Sequence, residues 1–190
     1  IAHPYGMSLL LGTPTPDELP ALRTHLLDRS RRPHDEWLQV WPTPVADTLV
    51  SLLGGTFSAD NTAPTGPNVQ RFVRSNFRFD AELHAALRHK LQAPASVRIQ
   101  GMDSALFGEL ACSVSPQAFW RDAVHFEREG LGFCSMLNGT PTATAFAAIL
   151  IDGQLEIGIE TLPAWRGRGH ALWVASALIE ACQQRGITPV

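Results

Sequence analysis

The strongest chemical pattern in the chain is Arg166-Gly167-Arg168-Gly169-His170-Ala171, where a strand pattern hands over to a helical one. A strand that delivers a glycine-rich turn into a helix start gathers free backbone amides and the positive end of the helix dipole in one place. The natural occupant is an anion, most often a phosphate. Gly167 and Gly169 let a ligand approach with no Cβ in the way, Ala171 keeps the first helical turn thin, and Arg166 and Arg168 add positive charge. The bland alternative is a connecting turn with two exposed arginines. Two common nucleotide motifs fit poorly. A P-loop needs a lysine that is absent here, and a dinucleotide fingerprint needs glycine where Leu172 stands, in a parallel βαβ setting.

Glu156 and Glu160 lie on the strand leading into this turn, four residues apart, so a regular strand puts them on one face and a bulge separates them. Outward-facing strand positions account for them equally well. Asp152 belongs to a hairpin turn. His125 is a lone helical histidine of the kind usually found on a surface or satisfied in a core, although it could serve as a base. His84 and His89 are five apart, do not share a helix face and make no metal pair. With no H-E-x-x-H, C-x-x-C or G-x-S-x-G, metal hydrolysis and serine-nucleophile chemistry lack support, and no metal is expected. Cys134 falls inside an expected strand, which disfavours a covalent acyl-cysteine.

The elements around the turn are well marked. Leu131 to Leu137, Asn138-Gly139, Pro141 to Ile151, Asp152-Gly153 and Leu155 to Leu162 read as three strands joined by two tight turns, an antiparallel meander. The helix after the turn runs to about Gln184 with Ala171, Val174, Ala175, Leu178, Ile179 and Cys182 on one stripe; Gly186 ends it and Ile187 opens another strand. Before the meander, Ser115-Pro116 predicts a helix to about Glu129, closed by Gly130, and Ser96 to Ile99 a short strand. Further upstream, helices are expected over 17–27, 46–53 and 80–91, and 54–68 has no period, as in a long loop, linker or lid. Trp37, Trp41, Phe57 and Phe72 are expected in a core or interface.

Composition limits the partners. The 190 residues carry 15 Lys+Arg against 18 Asp+Glu, a formal charge of −3, which argues against a dedicated nucleic-acid binder. The Arg29, Arg31, Arg32 group reads as a solvated helix end. No apolar run nears the roughly 20 residues needed to cross a bilayer. Three cysteines, Cys112, Cys134 and Cys182, sit in apolar surroundings, fitting reduced thiols and a cytoplasmic location. The first residue is Ile1 and the last, Val190, falls in a starting strand, so both ends are expected to be incomplete.

The sequence resembles the GNAT family of acyl-CoA-dependent N-acyltransferases. That family's R/Q-x-x-G-x-G/A signature reads here as Arg166, Gly169 and Ala171 in PAWRGRGHA after LEIGIETL, and the likeness extends to the order of elements over about 115–190. GLGFC, EIGIETLP and WRGRGHA together look like the branch with zwittermicin-type resistance acetyltransferases. The resemblance implies an α/β (α+β) fold with a mixed, mostly antiparallel sheet flanked by helices: an acyl-CoA-binding core over 96–190 that lacks its C-terminal elements, after a helix-rich region over 1–95 that shapes an acceptor site or serves as a scaffold. It implies that the amides from Arg166 to Ala171 hold the diphosphate of acetyl-CoA, that Thr161 and Leu162 pair with the pantetheine arm, and that Glu156 or Glu160 accepts the amine proton. His170 stands where the family usually has an apolar residue; it caps the helix or touches phosphate. Many members take a general acid, often tyrosine, from a helix beyond the strand begun at Ile187, and the single tyrosine here, Tyr5, matches no motif.

The function expected is acetyl transfer from acetyl-CoA to a primary amine of a small molecule. The alternative is a non-catalytic acyl-CoA-binding or regulatory module with a degenerate site, and a weaker third is a dinucleotide-binding protein. A homodimer is left open.

Overall fold

The computed structural model describes residues 2–3, 7–28, 30, 37–54, 56–57, 70–71, 77–109 and 114–190. The chain divides into two compact units, Ile1–Asn76 and Phe77–Val190.

In the first unit, β1 (Ala2–His3), β2 (Met7–Leu11) and β3 (Trp37–Trp41) form one small sheet, β1 antiparallel and β3 parallel to β2. Helices α1 (Leu19–Leu27) and α2 (Val45–Leu53) follow β2 and β3, and a second small parallel pair joins β4 (Thr56–Phe57) to β5 (Gln70–Arg71). The two expected helices are present, and α2 stops because Gly54 takes a left-handed conformation, φ 69°, from which its amide reaches Ser51. The strands β2 and β3 were missed in the sequence. Trp37 and Trp41, expected in a core or interface, are exposed and so not in a core, since strand alternation sets them with Gln39 on one face and Leu38 and Val40 on the other. The Phe57 side chain, Phe72, Tyr5, Cys112, the Arg29, Arg31, Arg32 group and most of the 54–68 stretch lie outside the described residues.

The second unit opens with α3 (Ala81–Leu87), capped by the Asp80 carboxylate on the Leu83 amide and followed by a 3₁₀ turn over Arg88–Lys90. Next come β6 (Val97–Gly101), α4 (Ser104–Glu109), a 3₁₀ turn at Pro116–Ala118 and α5 (Ala123–Glu129). The single helix expected over 115–129 is thus two pieces. Ser115 makes no side-chain cap, and the helix restarts at Asp122, whose carboxylate accepts from the His125 amide at 2.7 Å.

The meander then follows as expected: β7 (Gly132–Leu137), β8 (Thr140–Ile151) and β9 (Gln154–Thr161). Asn138 and Asp152 adopt positive φ at its two turns. After a 3₁₀ turn at Pro163–Trp165, the chain enters α6 (His170–Gln184) and ends in β10 (Thr188–Pro189). The sheet order is β10-β9-β8-β7-β6, antiparallel except for the β10–β9 pair. It is the mixed, mostly antiparallel sheet flanked by helices that the resemblance implies.

Each face of this sheet has its own core. On one, Phe146, Cys134 and Ala148 pack with Met102, Leu106, Phe107 and Phe126 from α4, α5 and their approaches. On the other, Ala143, Ala145, Ala147 and Leu155 pack under Val174, Leu178 and Cys182 of α6. Small residues along β8 let the helix sit close to the sheet. β8 has one extra residue at each of two bulges, Thr142 opposite the Ser135/Met136 step and Ala148 opposite the Ile157/Glu156 step. Among the described residues, no helix is long and apolar enough to cross a membrane, and no group of three His, Cys, Asp or Glu side chains could hold a metal ion.

Candidate acyl-CoA site at the start of α6

The candidate site forms where β9 leaves the sheet. The Leu162 amide donates to the Thr142 carbonyl at 3.0 Å, and the Leu162 carbonyl accepts from the Trp165 amide at 2.8 Å, closing the 3₁₀ turn. The Arg166 amide reaches back to Pro163 at 3.4 Å. From Gly167 onward the backbone turns outward: Gly167 has φ 73° and Gly169 φ 89°, and Gly169 is the residue before the first helical turn. Among the described residues, no acceptor is bonded to the amides of Gly167, Arg168, Gly169, His170 or Ala171. These donors stand at the positive end of a 15-residue helix.

The glycines serve different ends. A Cβ on Gly167 would meet nothing within 4 Å, so this position offers open backbone. A Cβ on Gly169 would come within 3.0 Å of the Trp173 ring. Gly169 therefore makes room for Trp173 as well as providing left-handed backbone.

Both arginines are held by the protein itself. Arg166 Nη2 donates to a Glu160 carboxylate oxygen at 2.9 Å and its Nε to the Thr161 carbonyl at 3.0 Å. The Arg168 guanidinium lies 5.2 Å above the centre of the Trp165 ring. Arg166 thus ties the turn to the end of β9. The Glu160 side chain is 13% exposed.

Glu156 and Glu160 do share a face, because the nearby bulge falls on β8 and leaves β9 regular. A spacing of four strand positions nevertheless puts them about 13 Å apart, too far to act on one reacting atom. Glu160 stands beside the turn; Glu156 borders a groove of about 220 Å³ with Ile149, Ile151, Asp152, Gln154 and Val190. On the β9 edge away from β8, the Ile157 amide bonds the Val190 carbonyl at 3.4 Å, so strand alternation aims the backbone groups of Ile159 and the Thr161 amide to the same side. The Thr161 hydroxyl is buried with no partner among the described residues. Of the two residues expected to meet pantetheine, Leu162 has both backbone groups engaged within the fold; Thr161 keeps its amide, and Ile159 joins it.

The His170 imidazole points inward. It is buried, flanked by the Trp165 and Trp173 rings at 5.6 and 4.9 Å between centres, with Nδ1 at 2.8 Å from Ser135 Oγ and 2.9 Å from Thr142 Oγ1. Burial, and then the positive charge of Arg168, hold its pKa below the usual histidine value. Its side chain neither caps the helix nor reaches the turn's mouth; only its amide does. Ser135 and Thr142 were missed in the sequence, as they lie far from the motif and meet it only through a bulge. His125 has Nε2 at 3.0 Å from Glu129 and its ring edge-on to Trp120, while its buried Nδ1 has no partner among the described residues.

The model of the GNAT acetyltransferase family matches residues 61–190. The chain belongs to that family. A relative of this GNAT chain is the uncharacterized N-acetyltransferase YdfB of Bacillus subtilis, 26% identical over 107 residues, which cover 55% of this chain and 41% of YdfB. The match thus spans less than half the length of that relative. A GCN5-related N-acetyltransferase-like protein of Streptococcus suis superposes over 95% of this chain and 67% of its own, with TM-score 0.63 and 22% identity, and shows the same fold. An aminoglycoside N-acetyltransferase in complex with CoA overlaps 49% of this chain and 73% of its own at 20% identity and TM-score 0.38.

Proposed function

We propose that the protein transfers an acetyl group from acetyl-CoA to a primary amine of a small molecule. The observation that carries this reading is the set of amides from Gly167 to Ala171 that have no partner among the described residues, at the start of α6 and one short turn after a strand whose end holds Glu160. The residues present fit acetyl-CoA: open donors of the right kind for a diphosphate, and a strand edge at Ile159 and Thr161 beside an unpartnered hydroxyl, suited to an extended chain of amides. Bound there, acetyl-CoA supplies an acetyl group activated as a thioester. The chain's own part is to fix that group at the end of β9 and to take the proton the amine must lose, a role for Glu160 acting directly or through water. Glu156 is the other residue expected to take this proton, but its distance along β9 from the turn favours Glu160.

A second reading, an acyl-CoA-binding module without turnover, is favoured by one observation: the Glu160 carboxylate is already paired with Arg166. A thiol-release assay with acetyl-CoA over a panel of primary amines separates the two. Catalysis predicts amine-dependent release of free CoA that falls at least about a hundredfold in Glu160→Gln with CoA affinity kept. CoA binding with no release over the whole panel favours the module, and absence of CoA binding removes both.

A further inference from the structure

Beneath the turn lies a buried polar cluster that acyl transfer does not itself require. Ser135, Thr142 and His170 are all buried, and their contacts form a closed set: Ser135 Oγ to Thr142 Oγ1 at 2.7 Å, Ser135 Oγ to His170 Nδ1 at 2.8 Å, Thr142 Oγ1 to His170 Nδ1 at 2.9 Å, and Thr142 Oγ1 donating to the Ser135 carbonyl at 2.9 Å. One chain of donors uses each proton once. His170 Nδ1–H donates to Ser135 Oγ, Ser135 Oγ–H to Thr142 Oγ1, and Thr142 Oγ1–H to the Ser135 carbonyl. The opposite tautomer, with Ser135 donating to Nδ1, leaves either the 2.7 Å oxygen pair or the contact of Thr142 with the Ser135 carbonyl without a proton.

Thr142 is the extra residue of a β-bulge, and the bulge accounts for its direction. Thr144 and Phe146 point to the face away from α6, and regular alternation would send Thr142 there too; the inserted residue turns its hydroxyl under the helix instead. The same residue holds the other end of the turn, because its carbonyl accepts from the Leu162 amide at 3.0 Å. Leu162 is the last residue before the turn and His170 the first of α6, so a single bulged residue secures both ends of the segment that presents the free amides.

We propose that Thr142, seconded by Ser135, is a positioning residue for the anion site: by holding Leu162 and His170 it sets the spacing at which the Gly167–Ala171 amides converge on a diphosphate. This rests on reading the turn as the diphosphate site of acetyl-CoA. Neither hydroxyl touches the ligand in this account; their effect is on the geometry of the donors, which loses affinity when it slackens.

The test is calorimetric titration of CoA into wild type, Thr142→Val, Thr142→Ser and Val174→Ala, with melting temperatures measured alongside. Val174 is buried one turn along α6 in the apolar core with Leu178 and Cys182, outside the hydroxyl cluster, so its truncation is the control for loss of stability. The expected result is CoA binding weakened roughly tenfold in Thr142→Val, restored in Thr142→Ser, and unchanged in Val174→Ala despite a lowered melting temperature. Should Thr142→Val not fold, Ser135→Ala removes the neighbouring hydroxyl and is expected to weaken binding in the same direction. Equal CoA affinity in wild type and the hydroxyl variants overturns the proposal, as does an equal loss in Val174→Ala. Failure of wild type to bind CoA instead overturns the diphosphate reading on which the proposal rests.

Discussion

At the scale of single residues, His170 shows how position decides chemistry. A histidine in a glycine-rich turn invites a role as a charged ligand, yet its ring lies among two tryptophans and two hydroxyls, where burial lowers its pKa. Its lowered pKa has a consequence for stability. Between the usual histidine value near 6.5 and the lower folded value, the unfolded chain binds a proton that the folded one refuses, so stability falls as pH drops through this window. Denaturant unfolding at stepped pH between 8 and 5 is expected to show this slope in wild type and a shallower one in His170→Asn, which has no proton to gain; identical slopes would refute the burial account. The inward direction of His170 was legible after all, since it continues the Val174, Leu178, Cys182 stripe one step of four toward the helix start. What conceals it is the glycine-rich run around it, in which a polar side chain next to two arginines resembles a ligand contact.

At the scale of elements, the turn between β9 and α6 is shaped by two left-handed glycines with different surroundings. Alanine at Gly167 meets only the backbone cost of positive φ, about 1 kcal/mol, whereas alanine at Gly169 adds a clash with the Trp173 ring at 3.0 Å. Gly169→Ala is therefore expected to lose more unfolding free energy than Gly167→Ala, and to weaken CoA binding by shifting Trp173 and the helix start. A denaturant titration of both variants checks the order, and a larger loss at Gly167 would contradict it.

The meander, its two turns and α6 were readable because alternation, Asn-Gly and Asp-Gly signals and a helical stripe all agree there. The bulges at Thr142 and Ala148 were not, because the Thr-Ala alternation runs unbroken past the first and the apolar run from Phe146 to Ile151 has no period to interrupt at the second. The break between the two pieces of 115–129 was hidden for another reason: Ser115-Pro116 is a good helix start, but a second cap at Asp122 competes with it and wins by bonding the His125 amide.

At the scale of the whole molecule, the second unit holds the meander, the turn and α6, and the matched family region, 61–190, includes all of them. The strands of the first unit escaped sequence reading because β2 and β3 are five residues each and form a sheet of only three strands, in which apolar runs such as MSLLL have no clear alternation. The whole account depends on the amides of Gly167 to Ala171 receiving the diphosphate of coenzyme A. Titrating CoA into isotopically labelled protein while following backbone amide resonances tests this most directly. The account predicts saturable shifts largest at Gly167, Gly169 and Ala171, with smaller ones at Ile159 and Thr161. Saturable shifts confined to other elements, or none at all, would contradict it.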